Sequence, residues 1–467
     1  MPDIDALLIN PISARVIPAF VPHGLLYIAA YAIRRGYKMR IYDRNTEEAD
    51  LGNVLKGTNP KVVGLGCLTG TSIDDAIRVS KEVRNINPAI KIVWGGIHTS
   101  LYPESILKED FVDFVVVGDG EEAFCGIMDC MIGNSKSLEA VDNLGYKVNG
   151  QLKYNKQSFV DPSDLPQPSW HLIDVKKYMR RKFYAKKTLT INTSRGCPYK
   201  CAFCCVPKVH QGKWRAISAE KIVENLKFLR DNYKIDGFQV DDDEFDIDRE
   251  RVLRFCDLLQ GNGLRLKWSH FSRINILKEE VLRREISCGL SLIEFGVESG
   301  SPRMLKFLNK AQTVEQVRRA YVVCRKLHIK TSALFMVGLP TEEVGDLKET
   351  VRLIKQLNPH LTICTIFKPY PGTEFFDYCI DKGLFRYPDK IEEIGCAYNL
   401  NINVSTIPDK TIYGIKRHFD FNNIYQEILS SVFTGNFGLI VYYFRFRLIP
   451  DLKGRLRNYF YPRDIKI

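Results

Sequence analysis

Thr193-Ser194-Arg195-Gly196-Cys197-Pro198-Tyr199-Lys200-Cys201-Ala202-Phe203-Cys204 is the stretch from which the rest of the chain is read. Its thiols, Cys197, Cys201 and Cys204, stand in the spacing Cys-x3-Cys-x2-Cys. Thiolates this close in sequence suit three corners of an iron–sulfur cube. Such cubes ordinarily take four cysteines, so one iron is left open to a further ligand. Gly196 and Pro198 favour a loop, in which the thiolates converge instead of radiating from a helix. Structural zinc is the alternative; it needs a fourth ligand, for which His210 is the candidate. Cys205 directly follows Cys204, and its side chain diverges, so it reads as a small buried residue.

Strand–helix alternation surrounds this loop. Apolar runs predict strands near 188–192, 236–240, 265–270, 291–296, 330–336 and 361–367, and helices near 218–231, 249–260, 278–287, 313–327 and 344–357. Six βα units predict an open, partial (β/α)6 TIM-like barrel, whose site lies at the C-terminal ends of the strands. Those ends carry Asp241-Asp242-Asp243-Glu244-Phe245, Ser269-His270-Phe271-Ser272-Arg273, Gly296-Val297-Glu298-Ser299-Gly300-Ser301, Gly338-Leu339-Pro340-Thr341-Glu342 and Lys368-Pro369-Tyr370-Pro371-Gly372-Thr373. The acidic run also reads as a capped start for the helix near Arg249. Arg273 places a cation near the barrel mouth, suited to a carboxylate.

Upstream, strands at Ala6–Ile9, Met39–Asp43, Val62–Leu65, Ile92–Trp94 and Phe114–Val117 alternate with helical patterns, which predicts a doubly wound parallel sheet. Its strand ends run into Cys67-Leu68-Thr69-Gly70-Thr71, Gly95-Gly96-Ile97-His98-Thr99 and Gly118-Asp119-Gly120-Glu121, where ligands of such sheets bind. Val148–Gln167 is polar and proline-rich and reads as a crossing segment, with Trp170 packing where it rejoins the core. The expected division is a Rossmann-like domain at 1–155, a linker at 156–187, the barrel at 188–400 and a small, mostly helical C-terminal region at 401–467.

The chain of 467 residues carries 67 basic and 55 acidic side chains, for a net charge of +12. No nucleic-acid motif accompanies this excess, and solvated loops account for it. Thirteen cysteines without a paired framework, and no signal peptide, predict a reducing cytoplasm. Ile428–Phe444 is an uncharged run of 17 residues diluted by Ser, Thr, Asn and Gly, too short and polar for a bilayer span. It reads as a cap over the barrel mouth. The alternative is peripheral membrane contact, with Arg445, Arg447, Arg455 and Arg457 meeting anionic lipid.

The cysteine stretch resembles the signature of the radical S-adenosylmethionine (SAM) enzymes. That resemblance implies a [4Fe-4S] cluster whose open iron chelates SAM, with Phe203 beside the adenine. Asp242 and Asp243 are similar to a DD-x-F pattern near SAM, from which the extra Glu244 departs. Glu298 and Ser299 fall in a G-x-E-S-G segment suited to the ribose and methionyl groups, Gly338 falls in a turn beside adenine, and Arg273 would face a carboxylate of SAM or substrate. The N-terminal domain resembles the cobalamin-binding domain fused ahead of many such proteins, which implies cofactor contacts at Thr69, Gly95, Gly96, His98, Gly118 and Glu121. The chain lacks the Asp-x-His-x-x-Gly motif that donates a lower ligand to cobalt, so His98 is expected to be a polar contact or loop brace. A fold retained without its cofactor is the alternative.

Taken together, the resemblance implies a cobalamin-dependent radical SAM methyltransferase. One SAM methylates cobalt, and a second yields the 5′-deoxyadenosyl radical that activates an unactivated carbon for methyl transfer. A radical SAM cyclase or ring-rearranging enzyme with the same cofactors is the rival. A cobalamin-binding sensor or accessory protein is the non-enzymatic alternative. Methylthiotransferases need an N-terminal cysteine triad that Cys67, Cys125 and Cys130 do not form. The implied partners are a small-molecule, lipid or natural-product substrate and an electron donor such as ferredoxin or flavodoxin.

Overall fold

Short apolar runs ended by glycine or proline become strands here because β-branched and aromatic side chains fit a sheet buried on both faces. The computed structural model describes residues 3–13, 18–133, 137–399 and 402–433. The N-terminal runs form β1 (Ala6–Asn10), β2 (Met39–Asp43), β3 (Val62–Gly66), β4 (Lys91–Gly95), β5 (Phe114–Val116), β6 (Leu144–Val148) and β7 (Gln151–Tyr154). They lie in the order β2-β1-β3-β4-β5-β6-β7. Strands β1 to β5 are parallel, and β6 and β7 extend the edge antiparallel. Along β1, Ala6 and Leu8 enter one apolar core while Leu7 and Ile9 enter the other, so both faces are covered. The order reverses between β1 and β3, the switch point at which ligands of such sheets bind.

The β6–β7 hairpin lies partly in the stretch read from sequence as a polar crossing segment. Its turn is Asn149-Gly150 with φ of 50° and 79°, the paired positive values that a type I′ hairpin demands. The real crossing begins after Tyr154 and is pinned by Trp170, which is 1% exposed and donates its indole N–H to Asn225 Oδ1 at 2.9 Å.

The second sheet holds β8 (Arg180–Lys182) and β9 (Ala185–Ile191). A small ribbon of β10 (Ser194–Arg195) and β11 (Arg215–Ala216) leads on to β12 (Gly237–Val240), β13 (Lys267–Ser272), β14 (Leu290–Glu298), β15 (Lys330–Val337) and β16 (Leu361–Ile366). The order is β16-β15-β14-β13-β12-β9-β8, with β9 and β12 to β16 parallel and β8 antiparallel. This is the open partial barrel the alternation predicts. Its outward face is aromatic, with Phe238 and Trp268 stacked at 5.6 Å. Each such ring, fully withdrawn from water, contributes on the order of 2–3 kcal/mol. Polar side chains bond between strands, among them Gln239 Nε2 on β12 to Glu294 Oε1 on β14, reaching past β13, at 3.1 Å.

The helix Ile391–Asn399 packs on the N-terminal helix Thr71–Ile86, where Lys81 meets Glu392 at 3.0 Å. The helix Asp409–Phe433 lies along the edge strand β16. There the Asn423 amide accepts from the Thr362 N–H at 2.8 Å and donates to its carbonyl at 2.5 Å, closing an edge that would otherwise invite strand addition. The expected cap falls on this helix only as far as Phe433; the rest of that run and the arginines from Arg445 onward lie outside the described residues. Among the described residues no helix is long and apolar enough to cross a membrane.

Candidate functional site

The cysteine loop leaves β9 and is tied at both ends. The β10–β11 ribbon closes it, with Ser194 opposite Ala216 and Arg195 opposite Arg215. Gly196 has φ +82°, and a Cβ there would stand 2.2 Å from the Lys213 carbonyl oxygen, so glycine is dictated twice over. In the middle of the loop the Ala202 N–H donates to Leu308 O and its carbonyl accepts from Phe375 N, both at 3.0 Å. Cys197 and Cys201 are buried, and Cys204 is partly so. Burial pushes the Cys197 thiol up to about 11 and the Cys204 thiol up to about 12. Thiols so placed would need a metal to displace their protons and hold them as thiolates. That chemistry fits an iron cluster. His210, the possible fourth zinc ligand, has its Nδ1 3.1 Å from Arg215 Nη2 instead.

The acidic run after β12 braces this loop. Asp242 is 6% exposed and accepts from Thr193 N at 2.6 Å, Thr193 Oγ1 at 2.5 Å and Ser194 Oγ at 2.7 Å. Asp243 accepts from Gly196 N at 3.0 Å and lines the neighbouring cavity; burial lifts its carboxyl to about 6. The cap of the following helix is Asp248, not this run. Glu298 ends β14 with φ +65°, and its carboxylate pairs with Lys310 Nζ at 2.8 Å. Both groups are largely buried, and Lys310 Nζ lies 5.8 Å from the centre of the Phe203 ring. Strained backbone held by a buried ion pair is a mark of a binding site. Sequence reading missed Lys310. Ser299 is spent within the loop, within 3.2 Å of Thr350 Oγ1 and of the Ser301 N–H. Gly338 takes φ +75° and donates its N–H to Glu342 Oε2 at 2.7 Å. Arg273 donates to Cys201 Sγ at 3.2 Å.

A cavity of about 500 Å³ opens at the C-terminal edge of the first sheet. Gly66, Gly95, Gly96 and Gly118 line it from the strand ends, and Arg195 and Asp243 line it from the barrel side. A Cβ at Gly95 would meet only Val116 Cβ, at 3.9 Å, and would otherwise take up cavity space. An apolar cradle of bare backbone is the donor surface a broad, flat cofactor such as a corrin needs, and the site fits one. Thr69 and His98 are not on its wall: Thr69 Oγ1 and His98 Nδ1 bond each other at 3.1 Å, and His98 is fully buried, which matches a loop brace. Glu121 lines the cavity, but its carboxylate accepts both Arg195 terminal nitrogens, at 3.1 and 2.5 Å. Asp119 pairs with Arg215 and lies 3.4 Å from Arg195. These four charges clamp the end of β5 to the cysteine loop, across residues too distant in sequence to be paired by reading.

Residues 11–128 match the family described as the B12 binding domain, and residues 191–354 match the radical SAM superfamily. An uncharacterized methyltransferase of Pyrococcus horikoshii is 30% identical over 369 residues, covering 78% of this chain and 79% of its own length. The anaerobic magnesium-protoporphyrin IX monomethyl ester cyclase of Rubrivivax gelatinosus is 26% identical, covering 77% of this chain and 66% of its own. Among solved structures, the radical SAM methyltransferase TsrM of Kitasatospora setae, with cobalamin and a [4Fe-4S] cluster bound, shares the fold. Its TM-score is 0.67 at 18% identity, over 81% of this chain and 75% of that one. The cobalamin-dependent radical SAM enzyme OxsB, with aqua-cobalamin and SAM bound, aligns with a TM-score of 0.66 at 20% identity, over 87% of this chain and 58% of that one.

Proposed function

From the premise that the chain belongs to the radical SAM proteins that carry a B12-binding domain, we propose that it is a cobalamin-dependent enzyme transferring methyl from SAM to an unactivated carbon of a small molecule. The observation that carries this reading is a cavity lined by the glycine strand ends on one side and, on the other, by Ser194, Arg195 and Asp243, which lead into and brace the cysteine loop. Cofactor sites set side by side can act on one substrate carbon without its release. When bound, the cluster supplies one-electron cleavage of SAM and cobalamin supplies a methyl carrier.

The chain's own residues have distinct tasks in this reading. Cys197, Cys201 and Cys204 would hold the cluster. Lys310 and Glu298 would meet the carboxylate and ammonium of SAM, as opposite charges already held together and withdrawn from water. Phe203 would lie against adenine, beside the Gly338 turn. Asp242 orients the cysteine loop through its three hydrogen bonds, and Asp243 remains open to the cavity. Gly95, Gly96 and Gly118 would admit the corrin, while Asp119 and Glu121 hold the two sides of the chamber in register. The same reading divides the chain near residues 155, 187 and 400, gives it a low-potential donor of the ferredoxin or flavodoxin type, and places it in a reducing cytoplasm.

The test is product analysis after anaerobic reconstitution with methyl-labelled SAM. Methyl transfer requires S-adenosylhomocysteine and 5′-deoxyadenosine to grow together and the label to enter product. The Rubrivivax relative's name supports a second reading, cyclisation. Label-free product accompanied by 5′-deoxyadenosine alone decides for it.

A further inference from the structure

Family resemblance assigns Arg273 to a carboxylate of SAM or substrate, yet its guanidinium is already committed. Arg273 is 5% exposed. Its Nε donates to Asn275 Oδ1 at 3.2 Å, Nη1 to Cys201 Sγ at 3.2 Å, and Nη2 to the Lys310 carbonyl. The Tyr199 ring covers the plane, 3.8 Å from the guanidinium carbon. Each nitrogen thus has a partner, and the fork is fixed before any cofactor arrives.

The surroundings of the neighbouring ligand explain what a cation does there. Asp243 accepts from the Gly196 N–H at 3.0 Å, which sets a carboxylate beside the first of the three thiols. Reduction adds one negative charge to a cluster already wrapped in thiolates. Carboxylates nearby resist that charge; a guanidinium hydrogen-bonded to a ligand sulfur favours it, since charge and N–H···S bonds set the potentials of such clusters.

We propose that Arg273 raises the reduction potential of the cluster by donating to the sulfur of Cys201, and so makes it reducible by a ferredoxin- or flavodoxin-class donor. This rests on the reading of Cys197, Cys201 and Cys204 as the ligands. The donor loses one electron and the cluster gains it; Arg273 gives up no proton and no bond breaks. It is a positioning residue, acting through Cys201. In passing, this also accounts for the aromatic between the first two cysteines: Tyr199 is the lid that holds the fork flat.

The experiment is an anaerobic redox titration of reconstituted wild type, Arg273→Gln and Arg273→Lys, followed by electron paramagnetic resonance of the reduced cluster, with iron and sulfide assayed in each. At equal iron content, Arg273→Gln should be at least tenfold harder to reduce, a midpoint lower by about 59 mV or more for a one-electron couple. Arg273→Lys keeps the charge but not the fork and should fall between the two. It decides the matter by itself where the glutamine variant does not fold. Midpoints equal to wild type at full iron content overturn the proposal. A wild type that binds no four-iron cluster overturns instead the ligand reading beneath it, so the two failures are distinguishable.

Discussion

Arg195→Gln tests the clamp between the B12-type sheet and the cysteine loop. In the native protein the Glu121 carboxylate, whose side chain is 2% exposed, takes both terminal nitrogens of Arg195. Asp119 keeps Arg215 and the Val160 N–H after the substitution, the latter at 3.0 Å. Glu121 keeps neither of its bonds, so the variant strands one buried carboxylate. Removing a single partner from a buried ion pair costs about 3–5 kcal/mol. The Arg195 side chain is 19% exposed, so water reaches part of the site and the lower figure, about 3 kcal/mol, applies. In a domain of this size that lowers the midpoint of the first thermal transition by about 6–12 °C. Scanning calorimetry of the apoprotein at neutral pH reads it directly. The double variant Arg195→Gln/Glu121→Gln removes the stranded charge and should recover about half of the loss, about 1.5 kcal/mol. If Arg195→Gln melted within 2 °C of wild type, or if the double variant lost the sum of the two single losses, the clamp would be ornamental.

Gly300→Ala should cost about 1–3 kcal/mol, because its Cβ would stand 2.6 Å from Thr350 Cα and 2.7 Å from Glu349 O, backbone that cannot swing aside; an unchanged thermal midpoint would show that the loop adapts. Burial lifts the Glu342 carboxyl to about 7, above its ordinary 4.5, so the folded chain holds a proton that the unfolded chain releases across that interval, and stability falls as pH rises through it. Glu342→Gln should therefore match wild type in urea near pH 5 and exceed it near pH 8 by on the order of 3 kcal/mol, whereas parallel pH dependences would refute the assignment. Cys205→Ala should retain about four irons per chain after reconstitution and Cys204→Ala should not; the reverse pattern, read by iron analysis, would exchange the two cysteines' roles.

The strands and helices of the barrel were legible because each apolar run is bracketed by turn residues and each helix repeats at its own period. Strand β9 was expected from 188 and begins at Ala185, since the basic run before it forms an antiparallel hairpin whose charges mask the strand pattern. The Asn149-Gly150 turn carried a hairpin signal that its polar surroundings made look like linker. At the site, the cysteines and the acidic motif were visible, but the division of labour among Asp241, Asp242 and Asp243 was not. Consecutive carboxylates point different ways, and only the fold decides which one meets Thr193. Lys310 was illegible because its partner Glu298 is reached around a loop whose shape leaves no periodic trace in sequence. Arg195, on the ribbon, and Glu121, at the start of a helix, lie 74 residues apart, a pairing that no local rule contains.

The motif Gly118-Asp119-Gly120-Glu121 shows why glycines and acids alternate at this strand end. Gly118 turns the chain at φ +88° and lines the cavity with bare backbone. At Gly120 a Cβ would press within 2.8 Å of Ile28 Cδ1, so glycine there lets the loop settle on the helix His23–Arg34. The acids also reach the cavity wall, but their carboxylates are taken by arginines. Asp119 turns to Arg215 and Glu121 to Arg195, one on each strand of the ribbon that closes the cysteine loop. The residues that end a strand of one sheet therefore also fix how far the other sheet's thiols stand from the cavity. A shift in this loop cannot move the glycine wall without moving the ribbon, and the two halves of the chamber are bound to keep one spacing.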